Sequence, residues 1–268
     1  MTFEIKKIEQ LVTDFEGQAA IILSLDERVL LSKYSDLSFP SASLIKLLIS
    51  DYIMTEKPAT LATKVMLMNS DFGLAGTNAW WAKQRLDRFG AGILDVLLAD
   101  DQGVTVAQLQ TLMLTISDNW AGNALIRHFG MMEINQFARL NYPGTHLRRQ
   151  FMAPQKKLDN ETTATDSLLM LKNVMSQPET HYLLNRQQSQ YKLPGTFVEN
   201  TSFSFNKMSI YNKTGEGATV DHDVMSITFD SHQVDVVLLT TTSANDRFQR
   251  LTLFNNVSDI LWKGMNLI

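Results

Sequence analysis

Residues 3 to 15 place Phe3, Ile5, Ile8, Leu11, Val12 and Phe15 at the three- and four-residue spacing of one helical face, and Gly17 follows as a stop signal. This predicts an amphipathic first helix. Two short apolar runs, Ala19 to Leu25 and Val29 to Ser32, flank Asp26-Glu27-Arg28 and predict a β-hairpin. From Leu44 to about Met54 the pattern is helical again, with Ser41 or Ser43 as its candidate cap. The stretch from Thr60 to Leu140 lacks strand alternation and holds helical segments, among them Val106 to Ile116 and Trp120 to Phe129. Loop signals gather at Tyr142-Pro143-Gly144 and from Pro154 to Asn160. Strand patterns return at Met208 to Asn212, Val220 to Phe229 and Val234 to Thr241, and a helical pattern closes the chain from Arg247 to Trp262.

Strand material at both ends with helices between them predicts an α/β (α+β) protein. Its centre is an antiparallel five-stranded sheet built from both chain ends and flanked by the terminal helices. A helical lobe is inserted between. The expected organisation is one domain over 1–268, with an α/β lobe at about 1–40 and 195–268 and a helical lobe at about 41–194. Hydrophobic residues at 44% and charged residues at 19% supply a large core and leave no room for extensive disorder. There is no internal repeat and no low-complexity tract.

Three short motifs carry the candidate chemistry: Ser43-Leu44-Ile45-Lys46, Ser117-Asp118-Asn119 and Lys213-Thr214-Gly215. Each alone is weak, since a given tripeptide occurs by chance in roughly a few per cent of chains of this size. A serine and a lysine at i, i+3 are ordinary on a helix surface. Ser117-Asp118-Asn119 is a good helix cap, and Lys213-Thr214-Gly215 suits a strand ending in a bulge. Their order along the chain is what is specific, because it is the order of the motifs of penicillin-binding enzymes and class A β-lactamases. On a helix, Lys46 shares a face with Ser43 and reaches its hydroxyl. A helix N-terminus favours a developing alkoxide at Ser43. Desolvation beside a second ammonium, Lys213, lowers the pKa of Lys46 and makes it a base.

With these motifs the sequence resembles the class A β-lactamase-like, penicillin-binding serine hydrolase family, and the resemblance covers most of the chain. Phe39-Pro40-Ser41-Ala42-Ser43 is similar to the family's approach to its nucleophile, and Gly90-Ala91-Gly92-Ile93-Leu94 to its Gly-x-Gly-Ile-Leu segment. Thr145-His146-Leu147-Arg148-Arg149 and Thr162-Thr163-Ala164-Thr165 resemble the entry to and exit from its Ω loop, and Leu193-Pro194-Gly195 the turn before its catalytic strand. The resemblance implies a serine hydrolase acting on amide C–N bonds through an acyl-enzyme, with Ser43 as nucleophile, Lys46 as base and Ser117 as proton relay between the two lysines. Asn119 would meet the acylamino side chain of the substrate. Lys213 and Thr214 would bind its carboxylate, and Gly215 would leave the strand edge bare for a peptide-like ligand. The backbone N–H groups of Ser43 and Glu216 would form the oxyanion hole.

The sequence departs from the family at one decisive place. Hydrolytic class A enzymes carry a glutamate early in the Ω loop that activates the deacylating water. That place falls on Phe151, and the aspartate of a divergent Arg-x-x-Met-Asp branch falls on Ala153. The next carboxylates are Asp159 and Glu161. The spacing from Ser43 to Ser117 is also long, which predicts an insertion within Asp71 to Arg88. Acylation machinery is therefore present and the usual deacylation base is not. A slowly deacylating β-lactamase-like hydrolase is the expected function. The alternatives are a D,D-peptidase of the penicillin-binding type, a non-hydrolytic β-lactam or muropeptide sensor, and more distantly a serine-dependent glutaminase.

Charge and cysteine content narrow the remaining classes. A net charge of −4 and a pI near 5.7 provide no basic field for nucleic acid. Absence of cysteine excludes thiol catalysis, disulfides and thiolate metal sites. His222 lies between Asp221 and Asp223, but strand alternation puts neighbours on opposite faces, so it is expected to be structural. His128, His146, His181 and His232 show no ligand spacing, and neither a metal nor another cofactor is expected. Trp80, Trp81, Met66 and Met68 are expected to fill core or loop contacts, and Arg148 and Arg149 either to anchor the following loop or to be solvated. The expected partner is a small β-lactam or a peptidoglycan stem peptide, bound by a monomer. Met1 to Gln10 has no continuous apolar run. The chain is expected to be cytoplasmic if Met1 is the native start, and secreted or in the cell envelope if an export segment has been removed.

Overall fold

The computed structural model describes residues 1–72, 92–94, 103–152, 158–185, 192–200 and 208–265, without the side chains of 198–200. Helix α1 (Ile5–Thr13) leads into the hairpin β1 (Gln18–Leu25) and β2 (Arg28–Lys33). Asp26 and Glu27 at its tip both have positive φ, as a two-residue turn with the twist of a hairpin requires. The short strand β3 (Phe39–Pro40), a 3₁₀ turn (Ala42–Leu44) and helix α2 (Ile45–Glu56) follow. The middle of the chain forms β4 (Lys64–Val65), β5 (Val104–Thr105), α3 (Val106–Thr115), α4 (Asn119–Phe129), α5 (Met131–Asn141), β6 (Glu161–Thr162), α6 (Ala164–Ser176) and α7 (Pro178–Leu184). Helix α8 (Gly195–Asn200) returns the chain to β7 (Met208–Glu216), β8 (Val220–Phe229) and β9 (His232–Thr241), and α9 (Arg247–Met265) closes it.

The five long strands form one sheet in the order β2-β1-β9-β8-β7, each pair antiparallel. The two chain ends meet where β1 pairs with β9, Ile21 opposite Leu238. Alternate residues separate two cores. Ala20, Ile22, Tyr211, Val224, Val237 and Leu239 pack against the helices of the middle segment. Ala19, Ile21, Leu23, Ile210, Met225 and Leu238 pack against the terminal helices α1 and α9. Burial on both faces explains why β1 reads as a continuous apolar run rather than an alternating one. By the same alternation Lys213 shares the face of Tyr211, toward the middle helices, and Glu216 the face of Ile210, toward α9.

Several expectations are corrected in detail. Neither Ser41 nor Ser43 caps α2 with its side chain; the 3₁₀ turn leads into the helix, and Ser41 accepts the Leu44 N–H through its carbonyl at 3.0 Å. The β3–β6 and β4–β5 pairings had no pattern to announce them, because two residues are too few to show a period. Strand β7 runs on to Glu216 and so contains the whole Lys213-Thr214-Gly215 motif. Met66 and Met68 lie in a loop and are about half exposed, outside the core, with Met66 against Gly103. Trp80, Trp81, Gly90, Ala91, Ala153 and nearly all of the expected insertion lie outside the described residues. Among the described residues, no helix is long and apolar enough to cross a membrane.

Helix α9 is tied to the β7–β8 hairpin through buried charge as well as through apolar packing. Arg250 is fully buried; its Nε donates to Asp221 Oδ2 at 2.8 Å, its Nη2 to the Ala218 carbonyl at 3.1 Å, and its Nη1 to the Ser243 carbonyl at 3.1 Å and the Thr242 hydroxyl. Removing Arg250 leaves two buried carbonyls without this donor and Asp221 without its guanidinium partner, with Lys192 at 3.0 Å still beside the carboxylate, and breaking a buried pair costs about 3–5 kcal/mol. Arg250→Ala should therefore lower the urea midpoint by that equivalent. A loss under about 1 kcal/mol, the scale of an exposed ion pair, would show that this tie does not hold the helix to the sheet.

Candidate active site

The 3₁₀ turn that presents Ser43 is held from two sides. Ser41 N–H donates to the Asn160 carbonyl at 2.7 Å, beside the β3–β6 pairing, and Ala42 takes a positive φ of 44°. From the other side β7 packs directly on the turn. A Cβ at Gly215 would stand 3.1 Å from the Ser41 carbonyl oxygen and 3.2 Å from Leu44 Cγ, so glycine suits this close approach and a side chain would push the turn by a few tenths of an ångström. Gly215 is thus a close contact between the edge strand β7 and the turn that carries the serine.

One turn along, Lys46 is fully buried. Its Nζ lies 3.1 Å from Ser43 Oγ and 3.0 Å from Ser117 Oγ, and it donates to the Ser117 carbonyl at 2.5 Å and to Asn119 Oδ1 at 2.7 Å. A neutral amine has two N–H donors and one lone pair. The two carbonyl oxygens, which only accept, take both donors and leave the lone pair to the two hydroxyls. Burial pushes the Lys46 pKa well below the ordinary lysine value, repulsion from Lys213 pushes it further, and Asp118 opposes. The geometry accommodates a neutral amine, and burial together with Lys213 shifts the balance toward it.

Ser117 adopts a positive φ of 59°, a conformation that costs a non-glycine residue about 1–3 kcal/mol. Asp118 holds it there. Its Oδ1 accepts from Ala121 N–H at 2.9 Å, capping α4, while its Oδ2 accepts from Ile93 and Leu94 N–H at 2.7 and 3.0 Å. Lys213, fully buried on β7, donates to Ser117 Oγ at 3.0 Å and to the Thr214 carbonyl at 2.8 Å. Burial lowers its pKa to about 7, Asp223 and Glu216 working against the shift and Lys192 with it. Ser43, Lys46, Ser117, Asn119 and Lys213 are thereby brought into one hydrogen-bonded cluster, with the Ser117 hydroxyl between the two lysines.

Thr214, Gly215 and Glu216 continue along β7, an outer strand of the sheet. Gly217 N–H donates to the Val220 carbonyl at 2.9 Å, and Glu216 faces Asp221 in the ladder. Antiparallel alternation then pairs Gly215 with His222 by hydrogen bonds and turns the N–H groups of Glu216 and Thr214 toward the open edge. The Glu216 side chain turns the other way and meets Arg247 at 3.2 Å.

Phe151 is buried at the position where the sequence comparison expects a carboxylate. Its ring centroid is 4.5 Å from Lys46 Nζ, and its edge lies against Gly122, where a Cβ would come within 2.7 Å of the ring. The Asn123 side chain clamps its backbone, accepting from Phe151 N–H at 2.7 Å and donating to its carbonyl at 3.1 Å. Asp159 and Glu161 are engaged elsewhere: Arg149 holds the first at 2.6 Å and Arg148 the second at 2.5 Å. Those two arginines anchor the loop by ion pairing.

His222 is fully buried behind Gly215, its ladder partner. Its Nδ1 accepts from Thr240 N–H at 3.2 Å and its Nε2 donates to the Pro40 carbonyl at 2.7 Å; burial lowers its pKa to about 4, so it is neutral. Among the described residues, no group of three or more histidine or acidic side chains is placed to hold a metal. Sequence reasoning passed over Asp118 as a brace, Asn123 as a clamp and Lys192 altogether. Ser117-Asp118-Asn119 signals a cap, but nothing in the local sequence points from Asp118 to residues 93 and 94.

The sequence matches the profile of the beta-lactamase enzyme family over residues 5–265. Among solved structures, the β-lactamase from Sphaerobacter thermophilus superposes with a TM-score of 0.79 at 20% identity, covering 100% of this chain and 99% of its own. The class A β-lactamase from Mycobacterium abscessus gives 0.73 at 17% identity, covering 97% and 98%. A glutamate-for-leucine variant of PBP-A, solved as its acyl-enzyme with penicillin G, gives 0.74 at 18% identity, covering 98% and 96%. These likenesses establish the fold. No curated protein matches the sequence significantly.

The two lysines make a test of the electrostatics. Lys213→Gln removes a like charge from beside Lys46, which then holds its proton more firmly, so the Lys46 pKa rises. The acid limb of the pH profile for labelling by a serine-directed acylating probe should move to higher pH. A limb that stays in place, or moves to lower pH, would show that Lys213 does not set the protonation of Lys46.

Proposed function

The chain belongs to the beta-lactamase enzyme family, a family of hydrolases acting on amide bonds, and from that premise we propose that it is a serine hydrolase of the class A type whose acyl-enzyme deacylates slowly. Ser43 attacks the carbonyl of a β-lactam or a related peptide-like amide. Lys46 takes the hydroxyl proton, and Ser117 passes a proton to the leaving nitrogen. The tetrahedral oxyanion lies between the N–H groups of Ser43 and Glu216. Lys213 and Thr214 receive the substrate carboxylate, and the Asn119 amide meets the acylamino group. The open edge of β7 supports a ligand laid alongside as an extra strand.

The observation that carries the slow step is Phe151 over Lys46. A hydrocarbon ring stands where a water-activating carboxylate is expected, and the nearest acids in the loop are ion-paired to arginines. Loss of a general base costs roughly 10²- to 10⁴-fold in the step it serves, about 3–5 kcal/mol of barrier. Acylation retains its base, so the loss falls on deacylation. The penicillin G adduct of the PBP-A neighbour supports β-lactams as the ligand class. The same geometry supports a D,D-peptidase or transferase reading, with a peptidoglycan stem peptide as substrate and Lys46 serving as base in both steps.

A chromogenic cephalosporin mixed with the protein should give a burst of one equivalent and then a slow steady rate. Intact mass should show one covalent adduct, absent in Ser43→Ala. Phe151→Glu should raise the steady rate without raising the burst rate. Turnover with no burst, or an adduct that persists in Ser43→Ala, would contradict the proposal.

A further inference from the structure

The peptide unit joining Gly215 to Glu216 has two ends. Its N–H faces the open edge of β7. Its carbonyl points oppositely, into the sheet, where it meets a lysine used by no step above. Lys192 is fully buried; its Nζ donates to the carbonyls of Gly215 and His222, each at 3.3 Å, the two carbonyls of one ladder pair. It also lies 3.0 Å from Asp221 Oδ1, 3.8 Å from Glu216 Oε1 and 5.3 Å from the centre of the Phe254 ring.

A lysine that served only to neutralise Asp221 would be redundant, because Arg250 already bonds that carboxylate at 2.8 Å. The lysine's own backbone is also fixed. The Lys192 carbonyl accepts from Gly195 N–H at 2.8 Å, Leu193 N–H donates to Asp223 Oδ2 at 3.2 Å, and the Leu193 carbonyl accepts from Ser258 Oγ at 2.7 Å. The ammonium is therefore held against the back of the peptide that forms one side of the oxyanion hole.

We propose that Lys192 is a positioning residue for the oxyanion hole, orienting and polarising the Gly215–Glu216 peptide so that the Glu216 N–H becomes a stronger donor. A hydrogen bond from a cation to an amide oxygen draws density toward that oxygen and leaves the N–H of the same unit more positive. The bond also resists rotation of the peptide plane, so the donor is aimed before the oxyanion forms. This inference rests on the reading of Glu216 N–H as an oxyanion donor.

The test compares the parent with Lys192→Met and Lys192→Arg. Two quantities are read: the acylation rate with a penicillin, and the infrared band of the ester carbonyl in an acyl-enzyme made with the β-lactam carbonyl labelled with ¹³C. A weaker hole polarises that carbonyl less. Lys192→Met should acylate roughly tenfold or more slowly, part of what losing a whole donor costs, and its band should move to higher wavenumber. Lys192→Arg, which keeps the charge, should recover both. If Lys192→Met does not fold, Lys192→Gln is read by the same two measures and should show the same direction. A slower rate with an unmoved band would reduce Lys192 to packing and overturn the inference, as would a parental rate and band. A parent that forms no penicillin adduct would instead remove the underlying reading of the site, and the inference with it.

Discussion

Burial of Lys46 is the constraint on which the rest of the site depends. An ammonium at that depth is expensive, and the surroundings offer it two carbonyl oxygens, two hydroxyls and an aromatic ring rather than a carboxylate. Burial and the neighbouring Lys213 both favour loss of the proton, the state that the proposed base requires. The left-handed conformation of Ser117 follows from this, because it directs the carbonyl that takes one of the amine's two donors. So does the bracing of Asp118 by the backbone of residues 93 and 94 and by α4, which holds that conformation in place.

The second organising feature is the seam between the sheet and the serine turn. Gly215 allows β7 to approach the turn closely, and this brings Lys213 to Ser117 from the opposite side to Lys46. Behind the seam lies an unusually charged interior: Lys192, Asp221, Asp223 and Arg250 are all buried. Burial raises Asp223 to about 7, with Asn212 and Lys192 opposing, so its charge is easily relinquished near neutrality. Buried ion pairs of this kind are poor sources of stability but good fixers of geometry. Here they fix the strand whose outer edge is the proposed substrate edge.

Much of this was legible in the sequence because it was written in local periods. The hairpin, the late strands, α1, α2 and the terminal helix all carry apolar spacing that their two-sided or one-sided burial requires, and the three motifs stand on or beside elements that the pattern placed, Lys213-Thr214-Gly215 just past the Asn212 limit that the pattern set for its strand. What escaped depended on contacts between distant segments. Nothing near Lys192 says that its amine will reach a carbonyl 23 residues on. Phe151 was legible as an absence, a missing acid, but its positive role as the ring over Lys46 needed the fold. Met66 and Met68 sit in a loop and stay half exposed, since apolar composition alone does not bring a short loop segment into a core.

The central claim is that a buried lysine amine, with no carboxylate to assist it, is the base that activates Ser43. Its most direct test is the ¹³Cε resonance of Lys46 in lysine-labelled protein, assigned by its loss in Lys46→Met and followed through a pH titration. The account predicts that at neutral pH this resonance has the position of a neutral amine and moves to that of an ammonium only on acidification. An ammonium resonance that persists through neutral pH would contradict it.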